Sequence, residues 1–256
     1  MTSELFNLSG KVAIVTGGNG GIGLGMARGL ADAGASIAIV GRNQAKSNAA
    51  VADISARGVR AMSVIADVTD KAAVTDMVAR VRSEFGRIDV LVNNAGINIR
   101  KPPHMLEADE WHSVIDVNLT SAFLCSKAAH GAMKEAGGGK IINIGSMMSI
   151  FGASFAPAYA ASKGGIVQFT RACACAWAAD NIQVNAILPG WIDTDLTKRA
   201  RTEVGGLHER VLARTPAARW GEISDFAGIA VFLASHASDF VTGTAIPIDG
   251  GYSIMG

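Results

Sequence analysis

The chain has 256 residues, of which 49% are hydrophobic and 18% charged, with a formal net charge of +1. This hydrophobic fraction supports a substantial core and argues against disorder, and the length suits one large α/β domain or two small ones. The near-neutral, well-mixed charge excludes a strongly basic surface, so we expect no nucleic-acid partner and no membrane partner.

The cysteines and the start of the chain bear on the cellular compartment. Cys125, Cys173 and Cys175 are odd in number and lie in apolar helical contexts without metal-ligand spacing. They predict reduced core thiols and no metal site. No basic region followed by an apolar stretch opens the sequence, and no apolar run approaches the length of a membrane span. We therefore expect a cytoplasmic protein.

Short runs rich in Val, Ile and Leu alternate along the chain with stretches of helical periodicity. The apolar runs predict seven strands, at 12–16, 36–40, 61–65, 89–93, 140–145, 182–188 and 244–248. The predicted helices lie at 22–33, 43–57, 70–85, 108–134, 158–179 and 224–235. Such continuously apolar strands are typical of a parallel sheet buried on both faces. The alternation predicts an α/β fold, a Rossmann-like doubly wound parallel sheet with helices on both faces.

Residues 191–214 break this alternation. The segment is polar and charged, contains Gly205-Gly206 and has no strand pattern. Long insertions of this kind often act as lids or binding loops. We expect a single domain over residues 1–256, with 191–214 as a mobile, substrate-covering lid.

A glycine-rich turn follows the first strand. It reads Thr16-Gly-Gly-Asn-Gly-Gly-Ile-Gly23 and leads directly into the first predicted helix. Glycines permit a sharp turn and close backbone approach to a pyrophosphate, which the positive end of the helix dipole then stabilises. Because so many positions are glycine, the placement between strand and helix carries the prediction of a dinucleotide site.

The end of the second strand bears on the choice of dinucleotide. It reads Val40-Gly41-Arg42-Asn43, without the carboxylate that would bind both ribose hydroxyls of NAD. The Arg42 guanidinium suits a 2′-phosphate, so NADP(H) is favoured, although stacking of Arg42 on adenine leaves NAD(H) possible. Asp67 could accept a hydrogen bond from the adenine amino group; alternatively, Asp67 or Thr69 caps the next helix.

Tyr159 and Lys163 lie four residues apart, and Ser146 precedes the tyrosine by thirteen. Positions i and i+4 share a helix face, so the ammonium can favour the phenolate and lower the tyrosine pKa from about 10. The Ser146 hydroxyl could then bind the reacting oxygen. Taken alone, the pair also fits an exposed tyrosine beside a solvated lysine.

Six signatures stand in one order and spacing. They are Thr16-Gly-x-x-x-Gly-x-Gly23, Asn93-Asn94-Ala95-Gly96, Asn118, Ser146, Tyr159-x-x-x-Lys163, and Pro189-Gly190 leading to Thr194. From about residue 8 to 251 the chain resembles the short-chain dehydrogenase/reductase family.

The resemblance assigns catalytic roles to four residues. It implies that Tyr159 is the acid-base group, that Lys163 lowers its pKa and binds the nicotinamide ribose, and that Ser146 orients the substrate carbonyl. Asn118 would hold a water linking Lys163 to solvent, or else be a core asparagine bonded to backbone.

The resemblance also extends the cofactor site. Asn93 and Gly96 would line the adenosine side, unless Asn93-Asn94 mainly ties strand 4 to its neighbours, and Ile192 and Thr194 would bind the carboxamide and pyrophosphate. The expected cofactor site comprises Gly17, Asn19, Gly21, Ile22, Gly23, Arg42, Asp67, Val68, Asn94, Ala95, Gly96, Tyr159, Lys163, Pro189, Gly190, Ile192 and Thr194. Many NADPH-dependent members carry a second basic residue in the glycine turn, where this chain has Gly20.

The substrate pocket should form at the carboxyl ends of the strands beneath residues 191–214. Its leading candidates are Asn98, Met148, Phe155 and Trp191; the wider set adds Ile97, Ile99, Arg100, Lys101, Met147, Ile150, Phe151 and His208. A basic side chain here could pair with a substrate carboxylate, although surface solvation of Arg100 and Lys101 is the favoured reading.

Local sequence around 94–111 and 239–253 is similar to family members that act on sugar acids, such as gluconate and deoxygluconate dehydrogenases. We therefore expect an NAD(P)(H)-dependent enzyme that interconverts a secondary alcohol and a ketone of a small-molecule sugar acid or related hydroxy/keto compound. The alternatives are a reductase of 3-oxoacyl thioesters or hydrophobic ketones, which the methionines and phenylalanines favour, and a non-catalytic dinucleotide-binding regulatory protein. The resemblance also implies a homotetramer.

Overall fold

A single parallel sheet organises the molecule. The computed structural model describes residues 4–256, apart from the side chain of Arg199. The strands are β1 (Val12–Thr16), β2 (Ser36–Gly41), β3 (Ala61–Ile65), β4 (Val90–Asn93), β5 (Gly139–Ile144), β6 (Ile182–Pro189) and β7 (Ala245–Ile248). Their order is β3-β2-β1-β4-β5-β6-β7, and all neighbouring pairs are parallel. The predicted doubly wound α/β fold and its strands are confirmed.

Helices cover both faces of the sheet. They are α1 (Gly21–Asp32), α2 (Gln44–Ser55), α3 (Lys71–Phe85), α4 (Ala108–Ile115), α5 (Ser121–Glu135), α6 (Pro157–Trp177), α7 (Asp195–Glu203), α8 (Leu207–Arg214) and α9 (Ala227–Ala234). One core cluster packs α1, α2 and α9 on the sheet, and a second packs α3, α5 and α6 on the opposite face. The central strands β1, β4 and β6 are fully buried, which explains their continuous apolar sequence.

The long helix predicted at 108–134 is interrupted. Residues Asp116–Thr120 form one turn of π-helix between α4 and α5, with the Ser121 N–H donating to the Asp116 carbonyl five residues back. Such turns often occur at functional sites. This turn carries Asn118.

Residues 191–214 are not a featureless loop. They contain α7 and α8, and Ala200, Leu207 and Val211 of the segment pack with Trp220 in a small separate cluster. As predicted, no strand occurs in this segment, although Ile192 makes an isolated parallel bridge to Gly221.

The three cysteines are free, and Cys125 and Cys173 are buried as predicted. Burial raises the pKa of the Cys125 thiol to about 12. Cys175 is exposed on α6, so its assignment to the core was wrong. Within residues 4–256, no helix is long and apolar enough to cross a membrane.

Candidate active site

Two cavities meet at the carboxyl edge of the sheet. One is a groove of about 480 Å³ between the glycine turn and the start of α7, and the other is a cavity of about 420 Å³ beneath α7 and α8. Ser146, at the end of β5, and Tyr159, in the first turn of α6, line both. A group held by these two side chains could therefore contact a ligand in each cavity.

The glycine turn is held against the end of β4. The Asn94 side-chain amide donates to the carbonyls of Thr16 and Gly17, at 3.0 and 3.1 Å. Gly17 has a φ of +61°, and a Cβ at Gly23 would lie 2.4 Å from the Asn94 amide nitrogen. The turn therefore requires glycine for conformation at Gly17 and for space at Gly23. These bonds are the ones expected if Asn93-Asn94 has a structural role, and Asn94 also lines the groove.

Asn93 also stitches elements together. Its amide donates to the Ser126 hydroxyl and to the side-chain oxygen of Asn143, at 2.9 and 2.8 Å, and the Asn143 amide donates in turn to the Thr170 hydroxyl. This buried chain of hydrogen bonds ties β4 and β5 to α5 and α6. It fixes the strand ends that carry the site.

Lys163 is buried next to Tyr159. Its Nζ donates to the Ile144 carbonyl at 2.6 Å and lies 5.5 Å from the centre of the Tyr159 ring. Burial lowers the pKa of the Lys163 ammonium to about 8. The helical spacing therefore brings the two side chains together, with the lysine charge directed at a backbone carbonyl.

Tyr159 is half-buried, and burial raises the pKa of its phenol. A hydrogen bond with Ser146 and the charge of Arg100 oppose this shift without outweighing it. Lys163 is not among the causes of this shift, and its ammonium donates to the Ile144 carbonyl, so the expectation that Lys163 lowers the tyrosine pKa stays a prediction. The phenol is thus held protonated near neutral pH.

Asn118 is almost fully buried in the π-helical turn. Its oxygen accepts from the Ile97 N–H at 2.8 Å, and its amide donates to the Ile97 carbonyl and to Ser162, both at 3.0 Å. The backbone bonding of the core-asparagine alternative is thus present. A Cβ at Gly96 would lie 3.3 Å from the Asn118 oxygen and 3.7 Å from Lys163 Nζ, so both groups border the same small space.

Most of the predicted cofactor residues line the groove. They are Gly17, Asn19, Gly21, Ile22, Asn94, Ala95, Gly96, Tyr159, Lys163, Pro189, Gly190, Ile192 and Thr194. Gly23, Arg42, Asp67 and Val68 do not line it. Gly23 packs under the turn, and Val68 is buried in the core.

Arg42 and Asp67 lie beyond the groove, at the ends of the adjacent strands β2 and β3. They form an exposed ion pair, with 3.7 Å between Arg42 Nη1 and Asp67 Oδ2. Asp67 also accepts from the backbone and hydroxyl of Thr69, which together with Arg42 holds its pKa below the usual range. The N-cap of α3 is Asp70, so the expected cap at Asp67 or Thr69 was wrong.

The second cavity contains all four leading substrate candidates, Asn98, Met148, Phe155 and Trp191. The side-chain Oδ1 of Asn98 is buried and has no hydrogen-bond partner in residues 4–256. A buried acceptor without a partner is costly, which makes it suited to a ligand hydroxyl.

Of the wider set, Arg100, Met147 and Phe151 line the cavity, but Ile97, Ile99, Lys101, Ile150 and His208 do not. Lys101 pairs with Glu110 at 2.6 Å, and His208 accepts from the Trp220 indole. The favoured reading of Arg100 as a solvated surface residue was wrong: its side chain is 12% exposed and pairs with Glu203 at 2.8 Å.

Several lining residues come from elements that the sequence did not reveal. They are Leu196, Thr197, Leu207, Arg210, Val211, Arg214 and Tyr252. The cavity wall therefore carries three arginines, and no Asp or Glu lies among the described lining residues. Within residues 4–256, no cluster of three or more His, Cys, Asp or Glu could hold a metal ion.

Comparison with known proteins agrees with this geometry. Residues 17–253 match the family profile described as enoyl-(acyl carrier protein) reductase. Together with the glycine turn and the Ser146, Tyr159 and Lys163 arrangement, this defines a dinucleotide-dependent oxidoreductase fold. The chain belongs to the short-chain dehydrogenase/reductase family.

Two curated relatives are named 2-dehydro-3-deoxy-D-gluconate 5-dehydrogenase. The protein from Formosa agariphila is 42% identical over 252 residues, covering 98% of this chain and 96% of the relative. The one from Escherichia coli is 43% identical over 253 residues, covering 98% and 99%.

A solved structure is similar over the same length. The gluconate 5-dehydrogenase from Burkholderia cenocepacia, in complex with NADP and tartrate, has 39% identity and a TM-score of 0.93, with 98% of each chain covered. All three proteins are named as 5-dehydrogenases, of gluconate or of 2-dehydro-3-deoxy-D-gluconate.

Proposed function

We propose that the protein is an NADP(H)-dependent oxidoreductase that interconverts a secondary alcohol and a ketone of a sugar acid. The observation that carries the proposal is the position of Ser146 and Tyr159 at the junction of the groove and the arginine-walled cavity. The names of the 2-dehydro-3-deoxygluconate and gluconate dehydrogenases support the substrate class.

The groove fits a dinucleotide. Its glycine turn leaves space for a pyrophosphate at the start of α1, with Thr194 on the opposite side: a Cβ at Gly21 would lie 3.6 Å from the Thr194 methyl. Arg42 would leave its exposed ion pair with Asp67 and bind the 2′-phosphate instead. The relative solved with NADP supports NADP(H) as the cofactor. When bound, the nicotinamide supplies or accepts the hydride.

The protein's own residues handle the proton and the orientation. In reduction, Ser146 would donate a hydrogen bond to the ketone oxygen while Tyr159 transfers its phenolic proton to it. The raised pKa of Tyr159 keeps that proton available near neutral pH. Lys163 would then reprotonate the Tyr159 phenolate and recover its own proton from water held at the free lone pair of the Asn118 side-chain oxygen.

The cavity favours a polyhydroxy acid over an apolar ketone. The three guanidiniums, of which Arg100 is paired with Glu203, and the lack of an acidic lining residue favour an anion, and the unpartnered Asn98 side-chain oxygen suits a hydroxyl. Met148, Phe151 and Phe155 supply the apolar surface that would suit the alternative, a 3-oxoacyl thioester or a bulky ketone.

A substrate panel tests the proposal. We expect NADPH oxidation with 5-keto-D-gluconate, and much slower turnover with a 3-oxoacyl thioester or an aryl ketone. Turnover confined to the thioester or the aryl ketone would favour the alternative substrate class. Tight dinucleotide binding without turnover on any member of the panel would favour a regulatory binding protein.

The cofactor assignment is tested with Arg42→Asp. Removing a charged contact to the 2′-phosphate should lower kcat/KM for NADPH roughly 10- to 100-fold and leave that for NADH nearly unchanged. Arg80→Asp, on the exposed face of α3, is the matched control. A wild-type enzyme that strongly prefers NADH would contradict the assignment.

We further propose that the protein is cytoplasmic and forms a homotetramer. The free thiols support a reducing compartment. Exposed Trp111 and Phe123, on α4 and α5, and exposed Phe240 and Ile254 near the C-terminus support assembly through these surfaces.

A further inference from the structure

We propose that Arg214 is the receptor for the substrate carboxylate, which makes it the residue that selects acids over neutral sugars. This inference rests on the proposed function and names the group that would determine its substrate class. Its basis is the arrangement of the three arginines in the cavity wall.

The three guanidiniums differ in their partners. Arg100 pairs with Glu203 and donates to the Leu196 carbonyl, and Arg210 donates to the Gly205 carbonyl. Arg214 has no hydrogen bond or ion pair within residues 4–256, although it is only half-exposed. Its N–H donors are therefore free for a ligand, whereas those of the other two are partly used.

Two aromatic rings hold Arg214 in place. Its guanidinium carbon lies 4.9 Å from the centre of the Phe151 ring and 4.5 Å from that of Tyr252. The two rings meet edge to face at 76°, forming a corner around the cation. Contact with π faces restrains the side chain but does not use its N–H donors, so the planar guanidinium is positioned before a ligand binds.

The position of Arg214 suits the end of a substrate away from the reacting carbon. Arg214, Phe151 and Tyr252 line the substrate cavity but not the cofactor groove, whereas Ser146 and Tyr159 line both. A carboxylate on Arg214 would leave the rest of a six-carbon chain to extend towards Tyr159 within about 420 Å³. The planar fork of arginine matches a carboxylate through two parallel hydrogen bonds.

The alternative is a structural role, in which Arg214 joins the end of α8 to the C-terminal segment. A cation in the last turn of a helix is favourable in any case. The two roles predict different effects of replacing Arg214. If its role is structural, the replacement lowers activity on charged and neutral substrates alike; if it binds the carboxylate, the loss is confined to the charged ones.

The test compares 5-keto-D-gluconate with L-sorbose, which carries a hydroxymethyl group in place of the carboxylate. For Arg214→Gln, we expect kcat/KM for the keto acid to fall roughly 10- to 100-fold, mainly through KM, with the value for L-sorbose nearly unchanged. Arg214→Lys should recover part of the loss, because it keeps the charge without the fork. Arg210→Gln, on the same helix face, is the matched control and should have a smaller effect.

Binding of D-gluconate to the protein, measured by calorimetry, provides a readout without turnover. We expect Arg214→Gln to weaken it by the same factor while dinucleotide affinity and Tm stay at wild-type values.

Equal losses on both sugars, or an unchanged keto-acid value, would overturn the inference. If the wild type fails to reduce the keto acid, the proposed function fails, and D-gluconate binding to wild type and Arg214→Gln then decides the role of Arg214. If Arg214→Gln does not fold, Arg214→Lys decides by the same acid-to-neutral comparison.

Discussion

At the scale of single residues, Lys163 shows how the site depends on burial. Its ammonium has one hydrogen bond, to the Ile144 carbonyl, and no carboxylate partner in the described chain. Removing a charge from water without a counterion disfavours the charged form, which is why its pKa is lowered to about 8. A lysine in this position exchanges protons close to physiological pH, as reprotonation of the Tyr159 phenolate requires.

The lowered pKa of Lys163 predicts that the free energy of unfolding depends on pH. The unfolded lysine keeps its proton up to about pH 10.5, whereas the folded one loses it above about 8. Unfolding between these values therefore takes up a proton, and the Lys163 contribution to the free energy of unfolding rises with pH, by ~3 kcal/mol over the window. Below pH 8 both states are charged and the contribution is constant.

Urea unfolding of wild type and Lys163→Met from pH 7 to 10.5 measures this contribution. The difference between the two proteins is the useful quantity, because buried thiols such as Cys125, whose pKa is raised, oppose the trend equally in both. We expect wild type to gain stability relative to the variant as pH rises. Parallel curves would show that Lys163 is not perturbed.

At the scale of elements, the sheet was predictable because its signals are local. Each strand is an apolar run bounded by turn residues, and the observed bounds differ from the predicted ones by one residue at most. The π-helical turn at Asp116–Thr120 could not be seen, because one i to i−5 bond barely changes the apolar periodicity of the helix around it.

Helices α7 and α8 were missed for a different reason. Their surface is polar: the buried apolar residue of α7 is Ala200, and in α8 only Leu207 and Val211, four residues apart, mark a buried face. Those positions place Arg210 and Arg214 on the same side, so a helical reading of 207–214 could have found the cavity wall. Tyr252 had no such signal, since its place depends on contacts with the distant Phe151.

The parts of the site that are contiguous in the sequence were predictable, and those that depend on distant residues were not. The glycine turn and the Tyr159 and Lys163 pair are short motifs, and the structure brings them into one groove. Arg100 was not predictable, because its orientation depends on Glu203, 103 residues away.

At the scale of the whole molecule, strand order determines where chemistry can occur. Successive strands run outward from β1 to β3 on one side and from β4 to β7 on the other, so the crevice lies between the carboxyl ends of β1 and β4. The glycine turn and Asn94 follow these two strands. The remaining site residues follow β5 and β6 on the same edge.

Apolar side chains left exposed on α5 and at the C-terminus lead to the prediction of a homotetramer. Phe123 is 46% exposed and contacts Phe169 of α6 edge to face, so the two rings form one surface patch. We expect light scattering to give about four times the 26.4 kDa mass of one chain, and Phe123→Asp to shift the protein to smaller species. A wild-type monomer would contradict this assembly.

The most direct test of the account is Tyr159→Phe, assayed with 5-keto-D-gluconate and NADPH. The variant keeps the ring against Lys163 and removes only the hydroxyl that carries the transferred proton. We expect kcat to fall by roughly 10²- to 10⁴-fold, with the Kd for the dinucleotide, measured by fluorescence titration, almost unchanged. Near-wild-type kcat in Tyr159→Phe would contradict the assignment of Tyr159 as the proton-transfer residue.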